Sequence, residues 1–162
     1  MKKILLCLAA LALSGSPALA SGTHDAGHGQ AAAMAAGEPG EPAAASRTIA
    51  VAMTEAADGG MAFEPAKVEV RQGETIRFVL TNRGELAHEF VLDSHDEILE
   101  HKAMMEKMPD MQHDDPNALR LEPGASGELV WKFSGNGDLE FACLIPGHYE
   151  LGMKGEVTVS QD

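Results

Sequence analysis

The chain has 162 residues, and its 25 acidic residues outnumber its 12 lysines and arginines, which gives a formal net charge of −13 at pH 7. A surface this acidic argues against nucleic acid or an anionic membrane as the partner, and it favours either basic partners or plain solvation. The length suits one domain of ordinary size preceded by a short leader.

Residues 1–20 predict a signal peptide for export. Two lysines precede an apolar run at residues 4–13, which is too short to span a bilayer, and an Ala-Leu-Ala cleavage motif ends at Ala20. We therefore expect cleavage near Ala20 and a periplasmic mature protein with no stable membrane insertion.

Cleavage would change both the cysteine count and the charge. It removes Cys7 and leaves Cys143 alone, so the mature chain can form no internal disulfide. It also removes two of the 12 basic residues and none of the 25 acidic ones, which leaves −15. A lone thiol in an oxidising compartment is a liability unless it is buried or bound, so Cys143 is either a packed core residue or a metal ligand.

Residues 21–46 are small and rich in Ala, Gly and Pro, which predicts a disordered arm because such a segment buries little apolar surface. His24, His28 and Met34 could bind copper loosely. Scattered histidines in a flexible tail are more often incidental.

Residues 47–162 predict a single all-β domain. Short stretches of alternating apolar and polar residues are separated by turns that contain Gly, Asn, Asp or Pro. Seven or eight such strands are typical of an antiparallel sandwich or barrel. The predicted strands cover residues 48–54, 67–71, 75–81, 87–92, 118–121, 126–133, 139–143 and 155–159.

An insertion at residues 93–120 interrupts the strands with a predicted helix. Ser94 and Glu97 form a capping-box pattern at its start, and Pro109 ends it. The helix and the loop after it are rich in thioether and imidazole groups, which would suit a second site for Cu(I). The alternative is that some of these methionines pack against the sandwich. The candidate donors are His101, Met104, Met105, Met108 and Met111.

The segment Phe141–Met153 contains Cys143, His148 and Met153 at the spacing Cys-x4-His-x4-Met. A thiolate, an imidazole and a weak thioether suit a one-electron copper site, which needs a second histidine from elsewhere. His88 lies between apolar neighbours in a strand-forming stretch, and we interpret it as that ligand. Structural zinc is the chemical alternative, but zinc prefers Cys and His at all four positions.

A strand histidine followed by Cys-x4-His-x4-Met, with Pro-Gly before the second histidine, resembles the cupredoxins: plastocyanin, azurin, rusticyanin and their relatives. The resemblance covers roughly residues 47–159 and implies a Greek-key β-sandwich with one type 1 copper at one end. It further implies that His88, Cys143 and His148 are equatorial ligands and Met153 is the weak axial one. The insertion resembles that of periplasmic cupredoxins associated with copper tolerance.

Two functions follow from this interpretation. The first is one-electron transfer through Cu(I) and Cu(II) with a redox partner protein, either basic or a cytochrome. The alternative is copper tolerance or homeostasis, in which the protein binds or buffers periplasmic copper. We do not expect an enzyme, because copper enzymes with this domain combine several domains and clustered histidine pairs.

Overall fold

The structure, a computed structural model, describes residue 34 and residues 36–109, 115–135 and 137–161. The predicted signal peptide, His24, His28 and Met111 lie outside the described residues. Within the described ranges the chain forms strands β1 (Glu38–Pro39), β2 (Arg47–Glu55), β3 (Met61–Glu64), β4 (Lys67–Arg71), β5 (Thr75–Asn82), β6 (His88–Asp93), β7 (Ala118–Leu121), β8 (Ser126–Lys132), β9 (Gly137–Ala142) and β10 (Lys154–Ser160), with helix α1 (His95–Lys107) and a short 3-10 helix (Pro42–Ala44).

The strands form two five-stranded sheets, with the orders β1-β8-β5-β2-β3 and β4-β10-β9-β6-β7. The predicted Greek-key β-sandwich with one helical insertion is confirmed. The sequence pattern is typical of an antiparallel sandwich, but two pairs are parallel in the structure: β2 lies parallel to β5, and β4 lies parallel to β10. These two parallel pairs are non-local, so no turn between neighbouring strands indicates them in the sequence.

Eight of the ten described strands match predicted ones, and β1 and β3 were missed. β3 has only four residues, but Phe63 within it is buried in the core. β1 falls within the predicted disordered arm, yet it pairs with β8. The folded domain therefore begins before residue 47 and includes residues 36–46.

The core lies between the two sheets. Burial alternates along β4 and β10, as expected for strands with one buried face. Six aromatic side chains fill the centre with almost no exposed surface, and they are Trp131, Phe63, Phe78, Phe90, Phe133 and Phe141. Their edge-to-face and stacked contacts add to the free energy gained by burying apolar surface.

Helix α1 packs on the outer face of the second sheet. Ser94 caps it as predicted, with the Ser94 hydroxyl accepting a hydrogen bond from the backbone N–H of Glu97 at 3.3 Å. Ile98 and Met105 are buried in a small second core, where they join Val91, Ala142 and Leu144. No helix in the described ranges is long and apolar enough to cross a bilayer.

Replacing Trp131 by Phe should loosen the segment before β1. The Trp131 Nε1–H donates to the carbonyl of Ala36 at 2.9 Å, and both residues are fully buried. Loss of this donor leaves a buried carbonyl unpaired, so we expect the free energy of unfolding to fall by about 1–3 kcal/mol. Urea denaturation and hydrogen exchange around Ala36 measure the effect.

Lys132→Gln is the matched control, since Lys132 contacts Glu38 of the same segment from the exposed side at 2.8 Å. An exposed ion pair contributes little, so this variant should stay within about 0.5 kcal/mol of the wild type. A Trp131→Phe variant as stable as this control would contradict the expectation.

Candidate metal centre

His88 is fixed by the turn that precedes β6. Asn82, itself fully buried, donates from Nδ2 to the carbonyls of Leu86 at 2.7 Å and Leu121 at 3.0 Å. Its Oδ1 accepts from the backbone N–H of Gly84 at 2.9 Å. These bonds hold both ends of the turn, so His88 enters β6 in a fixed register opposite Leu121, with its side chain fully buried.

The loop between β9 and β10 brings the other predicted ligands to the same end of the sandwich. Cys143 directly follows β9 and Met153 directly precedes β10, and the Cys143 N–H donates to the Met153 carbonyl at 3.1 Å. The Met153 N–H donates in turn to the carbonyl of His148 at 3.1 Å. Gly147 has φ of 90°, a left-handed conformation that favours glycine, and this allows the tight turn before His148.

Three of the predicted ligands converge in the structure. The Nδ1 atoms of His88 and His148 are 3.3 Å apart, and the Cys143 Sγ lies 3.3 Å from the same His148 Nδ1. The three donor atoms all lie within 4.8 Å of one another, and the described residues contain no other such cluster of three His, Cys, Asp or Glu donors. Met153 is fully buried and joined to this loop by its backbone hydrogen bonds.

Burial disfavours the charged forms of both Cys143 and His148 in the absence of a metal. Burial raises the pKa of the Cys143 thiol to about 12, although the backbone N–H groups of Glu89, at 3.4 Å from Sγ, and Ile145 act in the opposite direction. Burial, together with the neighbouring His88, lowers the pKa of His148. A bound cation would displace the thiol proton and gain a thiolate ligand.

The donor set fits copper. Two imidazole nitrogens and one thiolate are the equatorial set of a copper electron-transfer site, and a thioether such as that of Met153 is its usual weak axial ligand. The two donor side chains His88 and Cys143 are completely buried, which keeps bulk water away from the position a metal would take.

Glu55, at the end of β2, contacts this cluster and was missed by the sequence analysis. Its Oε1 lies 2.6 Å from His88 Nε2, the ring nitrogen opposite the cluster. A hydrogen bond from the backbone N–H of Glu85 is the main cause that lowers the pKa of the Glu55 carboxyl. No local motif marks Glu55, because 33 residues separate it from His88 and the parallel pairing of β2 with β5 brings them together.

The predicted donors of the insertion divide into two groups. Met105 is buried under α1, as the packing alternative requires, whereas Met104 and Met108 are 39% and 43% exposed and His101 is partly buried. His101 belongs to no group of three described His, Cys, Asp or Glu side chains that is compact enough to hold a metal ion. Met111 lies outside the described residues.

The insertion also touches the ligand loop. Lys102 of α1 forms ion pairs with Glu106 and with Glu150 of the loop, both at 2.6 Å, and these two carboxylates raise the pKa of Lys102. Tyr149 lies between Lys102 and Lys154, whose Nζ atoms are 5.9 and 4.4 Å from its ring centre. Helix α1 therefore supports the segment that carries His148.

A β-sandwich that holds two imidazoles and a thiol at one end defines the class of small mononuclear copper proteins. Residues 50–160 match the model of the copper-binding proteins of the plastocyanin/azurin family, and the chain belongs to this family.

The similar proteins include several described as copper-resistant cuproprotein CopI, and two of them match most of the chain. The protein from Rubrivivax gelatinosus is 47% identical over 163 residues, covering 98% of this chain and 96% of the relative. The protein from Pseudomonas aeruginosa is 41% identical, covering 82% of this chain and 84% of the relative.

The solved structures that resemble the chain include auracyanins. Dithionite-reduced auracyanin from Roseiflexus castenholzii has a TM-score of 0.60 and 26% identity, covering 72% of this chain and 98% of the other. Auracyanin B has a TM-score of 0.59 and 26% identity, covering 72% and 90% of the two chains. The predicted cupredoxin fold and the prediction of copper as the bound metal are confirmed.

Proposed function

We propose that the protein is a periplasmic copper-resistance protein that binds one copper ion through His88, Cys143, His148 and Met153. The convergence of His88, Cys143 and His148 within 4.8 Å carries this proposal. The names of the two reported relatives support the resistance role, which was the second of the two functions predicted from the sequence. The predicted signal peptide supports the periplasmic location.

The chain contributes a fixed and largely dry donor set. Copper in such a site exchanges one electron between Cu(I) and Cu(II). His88 and His148 present their Nδ1 atoms, and the buried Cys143 presents Sγ, which also accepts a hydrogen bond from the backbone N–H of Glu89. Backbone hydrogen bonds join the candidate axial ligand Met153 to Cys143 and to His148.

Copper stoichiometry combined with a growth assay tests the resistance role. We expect one tightly bound copper per chain, and we expect the wild-type gene to restore growth of a deletion strain in copper-rich medium. His88→Ala should fail to restore growth, whereas His95→Ala, which alters a histidine that pairs with Glu140 outside the cluster, should succeed. Full protection by His88→Ala would contradict the proposal.

Electron transfer is the second candidate, and the exposure of one ligand favours it. His148 is only partly buried and follows the exposed residues Pro146 and Gly147, whereas His88 and Cys143 are sealed inside. A partner docked on this loop would reach the copper through His148.

Given the chain's net charge of −13, we propose a basic partner or a cytochrome. Electron exchange with a basic cytochrome should then slow as salt is added, and no exchange at low salt would argue against this candidate.

The second Cu(I) site of the insertion stays a proposal, and the burial of Met105 favours packing instead. We expect wild type and the Met104→Leu/Met108→Leu double variant each to bind one Cu(I) tightly, because Met105 is used in core packing and Met104 and Met108 lie exposed at the surface. Competition titration with a Cu(I) chelator measures the stoichiometry. A second Cu(I) that is present in the wild type and absent in the double variant would contradict this expectation.

That the protein is not an enzyme likewise stays a prediction.

A further inference from the structure

We propose that Glu55 is a positioning residue of the copper centre, which fixes the tautomer and orientation of His88 through Nε2 and adds a negative charge that favours Cu(II). The inference rests on the copper site proposed above. It concerns a residue that belongs neither to the ligand set nor to the ligand loop.

The two ring nitrogens of His88 face different groups. Nδ1 points to the donor cluster, 3.3 Å from His148 Nδ1, while Nε2 lies 2.6 Å from the Oε1 atom of Glu55. A carboxylate only accepts hydrogen bonds, so the proton of the neutral ring belongs on Nε2. The lone pair on Nδ1 then points into the cluster, where it could bind a metal ion. A carboxylate in this position also makes the imidazole a stronger electron donor to a bound metal.

The Glu55 carboxylate is itself held in place. Its Oε2 accepts from the backbone N–H of Glu85 at 2.7 Å, and its Oε1 accepts from that of Leu86 at 3.2 Å. It also occupies the space beside Gly84, where an added Cβ would lie 2.2 Å from Oε1. The carboxylate therefore cannot swing aside without breaking the turn that leads to His88.

The burial of the pair makes the charge effective. His88 is fully buried and the Glu55 side chain is 21% exposed, so water screens the interaction only in part. A negative charge one imidazole ring away from the metal stabilises the more positive oxidation state. Removing that charge should shift the balance towards Cu(I) and raise the reduction potential.

The tautomer can be tested on the copper-free wild-type protein. Long-range proton–nitrogen NMR correlations distinguish a ring protonated at Nε2 from one protonated at Nδ1. We expect the Nε2–H form for His88 at neutral pH. The Nδ1–H form would overturn the proposal, and this measurement requires no variant and no bound metal.

Glu55→Gln tests the energetic part, with Glu85→Gln as the matched control. The control removes the same charge from an exposed side chain of the same turn. We expect Glu55→Gln to weaken Cu(II) binding by about 10- to 100-fold, the usual effect of losing an outer-shell partner. We expect the ratio of Cu(I) to Cu(II) affinity to rise about tenfold, which corresponds to about 59 mV in potential for one electron.

Glu55→Asp keeps the charge. It should therefore show a smaller loss of Cu(II) affinity, and a smaller rise in the ratio of Cu(I) to Cu(II) affinity, than Glu55→Gln. Equal effects of Glu55→Gln and Glu85→Gln would overturn the positioning role, since they would indicate a diffuse charge effect. If the wild type binds copper tightly and Glu55→Gln binds it equally well, this inference is rejected, while the proposed copper site still stands. Absence of tight copper binding by the wild type would instead reject the proposed function itself.

Discussion

Copper-loaded Cys143→Ser is expected to lose the intense visible absorption of the wild-type protein. The thiolate dominates the electronic character of a copper site with this donor set, and a serine hydroxyl does not replace it as a ligand. We expect the loss of Cu(II) affinity to exceed the roughly 10- to 100-fold that follows loss of an outer-shell partner. Visible and electron paramagnetic resonance spectra, together with copper titration, measure both effects.

The serine substitution is nearly isosteric, so the copper-free variant should remain folded. Circular dichroism and the melting temperature of the copper-free protein verify this point. His95→Ala serves as a control for the loss of a histidine outside the cluster, and it should keep the wild-type spectrum. A Cys143→Ser protein with an unchanged visible band would refute the assignment of Cys143 as a ligand.

Phe90→Ala is expected to lower the free energy of unfolding by about 3–5 kcal/mol, the usual range for removing a buried aromatic side chain. The Phe90 ring is fully buried, and its centre lies 5.8 Å from Phe63, 5.5 Å from Phe78 and 5.1 Å from Phe141. These rings come from both sheets, so the cavity would open across the sandwich. Urea denaturation of the copper-free protein gives the value without a contribution from metal binding.

Leu86→Ala is the matched control for Phe90→Ala, because it also removes a large apolar side chain close to His88. Leu86 is 47% exposed, so its truncation should change stability by no more than about 0.5 kcal/mol. A loss below about 1 kcal/mol for Phe90→Ala would show that the aromatic cluster is not the main source of sandwich stability.

The convergence of His88, Cys143 and His148 could be predicted because most of this donor set is local in the sequence. Three of the four predicted ligands lie within a segment of 11 residues, Cys143 to Met153, and the tight loop between β9 and β10 keeps them together. His88 could be added because the Cys, His and Met of this segment need a second imidazole, and His88 lies amid apolar residues of a predicted strand. The alternating pattern and the turn residues indicated eight of the ten described strands for the same reason, since each depends on neighbours along the chain.

The features that escaped prediction depend on distant parts of the chain. β1 is short and lies in a segment of arm-like composition, and it is ordered by β8 and by the Trp131 hydrogen bond to Ala36. Glu55 directly follows the strand predicted at residues 48–54, and nothing in the sequence near it points to His88. The parallel pairing of β2 with β5 brings the two side chains together. Met104 and Met105 are neighbours of the same residue type. Only the way α1 packs makes Met105 a core residue and leaves Met104 at the surface.

The parallel pairing of β2 with β5 also determines where the chain tolerates changes in length. Met53 lies opposite Asn82 in this pair, and the alternation along β2 places Glu55 on the same side as the buried Met53. Insertion of one residue into β2 would turn every following side chain to the opposite face and remove Glu55 from His88. The proposed copper centre would thus depend on the spacing of a strand that supplies none of the four candidate ligands. Comparisons among relatives should therefore weigh gaps in β2 as heavily as changes in the ligand loop.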